Sequence, residues 1–140
     1  SANFCPEFCQ PDYAFFTNSK RFEKLDLAAL PCPVVLTSNL RPLPQGALAV
    51  NYDRLAAPDV QNAFLGSNSV LMLLRLLRLC GAKAVLLAGA DGYKPGTPAY
   101  ADSLLHAHTG RGVAFNTAMA GAIKACGLDV TFITPSEYAK

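Results

Sequence analysis

Four short apolar runs stop abruptly on small polar residues: AFFTNS (14–19), VVLTSN (34–39), AVLLAGADGY (84–93) and TFITPS (131–136). Runs of this length, rich in Val, Leu, Ile and Phe and without strict alternation, read as strands buried on both faces. Two of them sit inside a longer repeated pattern. SNSVLMLLRLLRLCGAKAVLLAGADG and TGRGVAFNTAMAGAIKACGLDVTFITPS each give a polar cap, an apolar-faced helix, a Cys-Gly stop and a strand. Gly81 and Gly127 stand where a left-handed residue closes a helix. Alternating helix and strand units with short connections call for a mostly parallel sheet with helices on both faces. The expected fold is therefore α/β, a three-layer α/β/α arrangement around four to five strands.

The rest of the chain is less regular. Residues 1–11, SANFCPEFCQP, hold two prolines and no period, and read as a linker or arm. Residues 12–140 read as one domain, a length that can bury a real core. DYAFFTN (12–18) is expected as a strand. SKRFEKLDLAAL (19–30) is expected as a helix, with Phe22, Leu25 and Ala29 on one face and Asn18 or Ser19 as its cap. LRPLPQG (40–46) is too short for a crossover helix. ALAVNYD (47–53) reads as an edge strand or an extended segment, and the stretch after it as a helical turn broken at Pro58. On the helix at 69–80, Arg75 and Arg78 are expected to share the wet side.

Composition removes several classes of function. Hydrophobic residues make up 51% and charged residues 16%, the balance of a packed globule and not of a disordered tail. The twelve Lys and Arg are scattered and the net charge is +2, so no basic footprint for nucleic acid is present. VLMLLRLLRLC is broken twice by Arg and falls short of the ~20 residues of a membrane span. No signal peptide is visible. Of the five cysteines, Cys5 and Cys9 form a C-x3-C, but no second close pair or nearby histidine completes a zinc site; all five read as free thiols in a reducing, cytoplasmic setting, with a metal or disulfide role as the alternative. A first residue other than Met marks the chain as an expected piece of a longer protein.

Candidate site residues follow from the topology. In an open parallel sheet the strand carboxyl ends share one edge, and ligands bind there. Thr17, Asn18, Ser38, Asn39, Asp91, Gly92 and Ser136 are expected on that rim. Asn68 and Ser69 open a helix whose free N–H groups suit an anion. Asp91 lies between glycines that let the backbone turn sharply. It suits a ribose or sugar hydroxyl pair or a divalent cation such as Mg²⁺, and it equally suits a turn acid that bonds its own loop. The asparagines read equally well as caps and turn residues. Tyr93 and Lys94 follow the acid, either over a bound group or in a solvated loop. His106 and His108 form an H-x-H that would diverge on a loop or helix, so no metal site is expected there. Neither a G-x-S-x-G elbow nor a Walker sequence occurs, and GRGVAF lacks the third glycine and the preceding strand of a dinucleotide fingerprint.

YAFFTNSKRFEKL, NSVLMLLRLLRLCGAKAVLLAGADGY and FITPSEY together resemble the C-terminal domain attached to bacterial aldolases of the HMG-CoA-lyase-like class, often labelled 4-hydroxy-2-oxovalerate aldolases. The resemblance spans residues 12–138 with gaps and is weak over 40–66 and 94–110. It implies a Rossmann-like domain that follows a metal-dependent TIM barrel. The barrel's catalytic residues have no counterpart here. What carries over is the rim: Asn18, Asp91, Gly92, Tyr93, Ser136 and Tyr138. A similar strand-end acid occurs in domains related to pterin pyrophosphokinases and nucleotide-sugar-using sialyltransferases. The expectation is thus an accessory domain of an aldolase, binding a small anionic or nucleotide-type ligand and contacting the barrel or a second copy. The alternatives are a stand-alone Mg²⁺-dependent nucleotide or nucleotide-sugar transferase, and a protein-docking domain without ligand.

Overall fold

The computed structural model describes residues 1–3, 10–26, 29–57, 63–94 and 114–140, with the side chains of residues 63 and 64 left aside. Cys5, Cys9, His106 and His108 lie outside these residues. The described chain is mixed α/β and its strands are all parallel. It divides into two compact units, Ser1–Leu76 and Leu77–Lys140.

The first unit holds strands β1 (Ala14–Phe16), β2 (Val34–Thr37) and β3 (Leu48–Val50), paired in the order β1-β2-β3. Register is set by Ala14 opposite Val34 and Val35 opposite Leu48. Helix α1 (Ser19–Phe22) follows β1, α2 (Tyr52–Leu55) follows β3, and α3 (Ala63–Gly66) precedes α4 (Ser69–Leu79). Two apolar clusters hold the unit. Ala14, Phe16, Phe22, Val34, Leu36 and Leu40 form one. Phe15, Leu55 and Met72 form the other, so the two faces of β1 feed different clusters.

The second unit pairs β4 (Ala84–Leu87) with β5 (Asp129–Phe132), Ala84 standing opposite Asp129. Helix α5 (Ala114–Ala125) leads into β5, and a 3₁₀ turn (Glu137–Ala139) closes the chain. Helix α5 buries Phe115, Met119, Ala120 and Ile123 along one stripe. The Cys-Gly stops form as expected: Gly81 and Gly127 have φ of 91° and 66°. After α4, the Ala82 N–H reaches back to the Leu77 carbonyl at 3.0 Å, closing a Schellman-type end.

Several expectations change. The strands form two ladders, of three and two strands, in place of one sheet of four to five. Apolar period marks a strand but carries no information about its neighbour. Helix α1 ends at Phe22 and not near residue 30. Its ladder tightens after Glu23, where Lys24 and Leu25 bond the carbonyls of Arg21 and Phe22, three residues back. That turn brings Leu25 onto the cluster around Phe22. β3 pairs parallel to β2 although residues 38–47 between them hold no helix. Residues 1–3 are no free arm: Ala2 bridges Phe15 in parallel. Among the described residues no helix is long and apolar enough to cross a membrane. Cys32, Cys80 and Cys126 take part in no disulfide.

Candidate functional site

Strand ends in the first unit place Asn18, Ser38 and Asn39 as expected for a parallel sheet, and the backbone uses all three. The Asn18 side chain caps α1, its Oδ1 accepting from Arg21 N at 3.2 Å. The Ser38 hydroxyl accepts from Tyr52 N at 3.0 Å, which fixes the start of α2 to the end of β2. The Asn39 amide donates to the Thr17 carbonyl at 3.3 Å, tying the ends of β2 and β1 together. Thr37, fully buried, donates to the Phe16 carbonyl. Asn68 caps α4, accepting from Val70 N at 3.0 Å and Leu71 N at 3.3 Å, and Ser69 is the first helical residue.

Strand ends in the second unit are more tightly organised. The turn after β4, Gly89 to Tyr93, is held from β5, the closing turn and α5. Gly89 N donates to Thr134 Oγ1 at 2.9 Å, and Ser136 Oγ donates to the Ala90 carbonyl. The Asp91 carbonyl accepts from Glu137 N at 2.8 Å. Asn116, buried in α5, clamps both backbone groups of Tyr93: its Oδ1 accepts from Tyr93 N at 2.9 Å and its Nδ2 donates to Tyr93 O at 2.8 Å. The Tyr93 ring then meets Phe115 edge-on at 5.7 Å. Gly92 has no room for a side chain. A Cβ there would lie 2.8 Å from Glu137 Cβ and 3.1 Å from Asn116 Oδ1, and its φ is +81°.

Asp91 is the exception within this turn. Its carbonyl is bonded, yet its side chain is exposed and makes no hydrogen bond among the described residues. The turn is thus hydrogen-bonded at four of its five residues and presents the Asp91 carboxylate at the surface. A preorganised anionic group of this kind can accept hydrogen bonds from vicinal hydroxyls or give one oxygen ligand to a hard cation. Among the described residues no three metal-ligating side chains converge.

Ser136 therefore joins Asp91, Gly92 and Tyr93 in the second unit, and Asn18, Ser38 and Asn39 lie at strand ends of the first. Other polar residues that organise the strand ends are absent from the sequence expectations. Asn51 caps α2 by accepting from Arg54 N. Asn3 and Asn116 are nearly fully buried. A signal for Asn116 exists, since it is a polar residue inside the apolar stripe of α5. Asn3 carries none. Arg75 and Arg78 do not simply face water. Arg75 Nη1 donates to the carbonyls of Leu55 at 2.8 Å and Gly66 at 3.1 Å, closing the ends of α2 and α3. Arg78 Nη1 donates to the Cys126 carbonyl at 2.7 Å, at the end of α5. Buried side-chain nitrogen and oxygen atoms among the described residues all have partners.

No family model matches this chain, and neither does any curated protein or solved structure.

Proposed function

We propose that the chain is a Rossmann-like accessory domain of an HMG-CoA-lyase-like aldolase. In this reading it binds a small anionic or nucleotide-type ligand at the β4–β5 end and has no lyase activity of its own. The observation that carries the ligand part is the turn from Gly89 to Tyr93. Four of its residues are bonded through the backbone, and the exposed Asp91 carboxylate is left for a partner. A loop held this firmly loses little further freedom on binding, which favours recognition by few contacts. The aldolase part rests on the resemblance of the three quoted segments.

Thermal unfolding against a panel tests the ligand part. The panel comprises nucleoside mono-, di- and triphosphates, nucleotide sugars and 2-oxo acids, each with and without Mg²⁺. A ligand at a hundredfold excess over its Kd stabilises the chain by about 2.7 kcal/mol, and Asp91→Ala abolishes the response. A panel without a hit, or a hit that survives Asp91→Ala, removes this site. Cleavage of a 4-hydroxy-2-oxo acid by this chain alone removes the accessory reading.

A docking role has its own support in the second unit. Leu86 and Ile133 are 70% and 60% exposed, and Ala84, Ala88 and Thr131 beside them are exposed too. Exposed large apolar side chains on one sheet face, here beside Thr131 and Asp129, mark interaction sites. The occupant proposed is the aldolase barrel of the parent protein.

A further inference from the structure

The outer edge of β1 is filled by the first three residues of the chain, and the way they are held is more specific than strand pairing requires. The Ser1 amino group donates to the Tyr13 carbonyl at 2.9 Å. Phe15 N donates to the Ser1 carbonyl at 2.9 Å, and Asn3 N donates to the Phe15 carbonyl at 2.7 Å. This is a parallel ladder one step long. Ala2 packs against the cluster of Phe15, Leu55 and Met72. The Asn3 side chain then reaches past the strand end. Its Oδ1 accepts from Thr17 N at 2.8 Å and Asn18 N at 3.3 Å, and its Nδ2 donates to Thr17 Oγ1 at 3.3 Å. Six hydrogen bonds therefore hold three residues, three of them through a single amide side chain.

From this we infer that the β1 edge is a docking slot for a short extended peptide with a small residue followed by Asn, and that Ser1–Asn3 is a strap occupying it in cis. The occupant is defined by the contacts themselves. The ladder recognises any extended backbone. The small apolar residue follows Ala2, which packs half-buried against the cluster of Phe15, Leu55 and Met72. Asn is set twice. Asn3 has φ of 54°, a left-handed conformation that Asn tolerates better than most residues. Its carboxamide also supplies an acceptor for two adjacent N–H groups and a donor for a hydroxyl, which neither Ala nor a carboxylate does. A partner segment of the same chemistry would compete with the strap, whose tether gives it an effective concentration on the order of millimolar. The slot stays closed to weak partners until the strap is loosened. These contacts involve no residue of the Asp91 turn, so the inference stands or falls separately from the ligand reading above.

Two measurements on the full chain test it. In Asn3→Ala, amide hydrogen exchange at Thr17 and Asn18 is expected to rise by about tenfold or more, because their acceptor is gone, while Ile123 in α5 is unchanged. Adding the tetrapeptide Ser-Ala-Asn-Phe at millimolar concentration should then shift the Phe15, Thr17 and Asn18 amide resonances saturably in Asn3→Ala and not in the parent sequence. Ser-Ala-Ala-Phe should shift neither. Unchanged exchange at Thr17 overturns the strap. Rising exchange without a saturable shift, or equal shifts with both peptides, overturns the slot and leaves Asn3 as a structural plug.

Discussion

Gly92 and Asp91 are neighbours with opposite roles, and single substitutions separate them. Gly92 combines a positive φ with a Cβ position already claimed by Glu137 and Asn116. Gly92→Ala therefore meets both backbone strain and overpacking, and should cost about 2 kcal/mol in a urea melt. Asp91→Ala removes an exposed carboxylate that makes no hydrogen bond among the described residues and should fall within about 0.5 kcal/mol of the parent. An Asp91→Ala cost as large as that of Gly92→Ala would mean the acid is a turn residue and not a presented group. Asn116→Leu keeps the branched outline, with bulkier methyl groups in place of the carboxamide, and leaves both backbone groups of Tyr93 without their side-chain partner, a loss of about 2 kcal/mol. The Asp-Gly turn was legible in the sequence because glycine after an acid states its own backbone need. The clamp on it was not, since Asn116 is 23 residues away and no local pattern links the two.

At the scale of elements, legibility tracks how far each helix carries its own end signals. Helix α4 has Asn68 before it and Gly81 after it, and its expected and observed limits agree closely. Helix α1 has only its start, Asn18. No glycine marks its end, and the helical spacing of Phe22, Leu25 and Ala29 overstated its length. The two arginines of α4 show the complementary case. Their spacing predicts a solvated face, but each guanidinium closes the carboxyl end of another helix. Arg78 does so at α5, where a cation also meets the negative end of the helix dipole. Nη1 of Arg78 would sit 2.6 Å from a Cβ at position 127, so a side chain there would push the guanidinium aside, while the φ of +66° is what calls for glycine. Arg78→Met should lower stability by about 1 to 2 kcal/mol, read from the urea midpoint. Arg78→Lys should recover only part of that, because a point charge does not reproduce the planar fork. Full recovery by lysine would show that charge alone matters there.

For the molecule as a whole, the strands were legible and their partnership was not. Every apolar run that ends on small polar residues is a strand, and every described pair is parallel. Which strands share a ladder depends on contacts distant in sequence, and the period of a single run is silent on them. The same limit applies to the faces. A run such as AVLL reads as buried on both sides, yet β4 and β5 each alternate between exposed and half-buried positions. That alternation puts Leu86 and Ile133 on the surface, and it bears directly on the docking role proposed for this domain. Leu86→Lys replaces an exposed side chain, so the free chain should keep its stability to within about 0.5 kcal/mol. A charge at the centre of an apolar contact is costly without a partner, so the same substitution should abolish association with the aldolase barrel proposed as its partner, measured by analytical ultracentrifugation. Stability and association must be measured on the same preparation. Loss of stability in the free chain would place Leu86 in the packing of the domain itself. Unchanged stability with undiminished association would move the docking surface elsewhere.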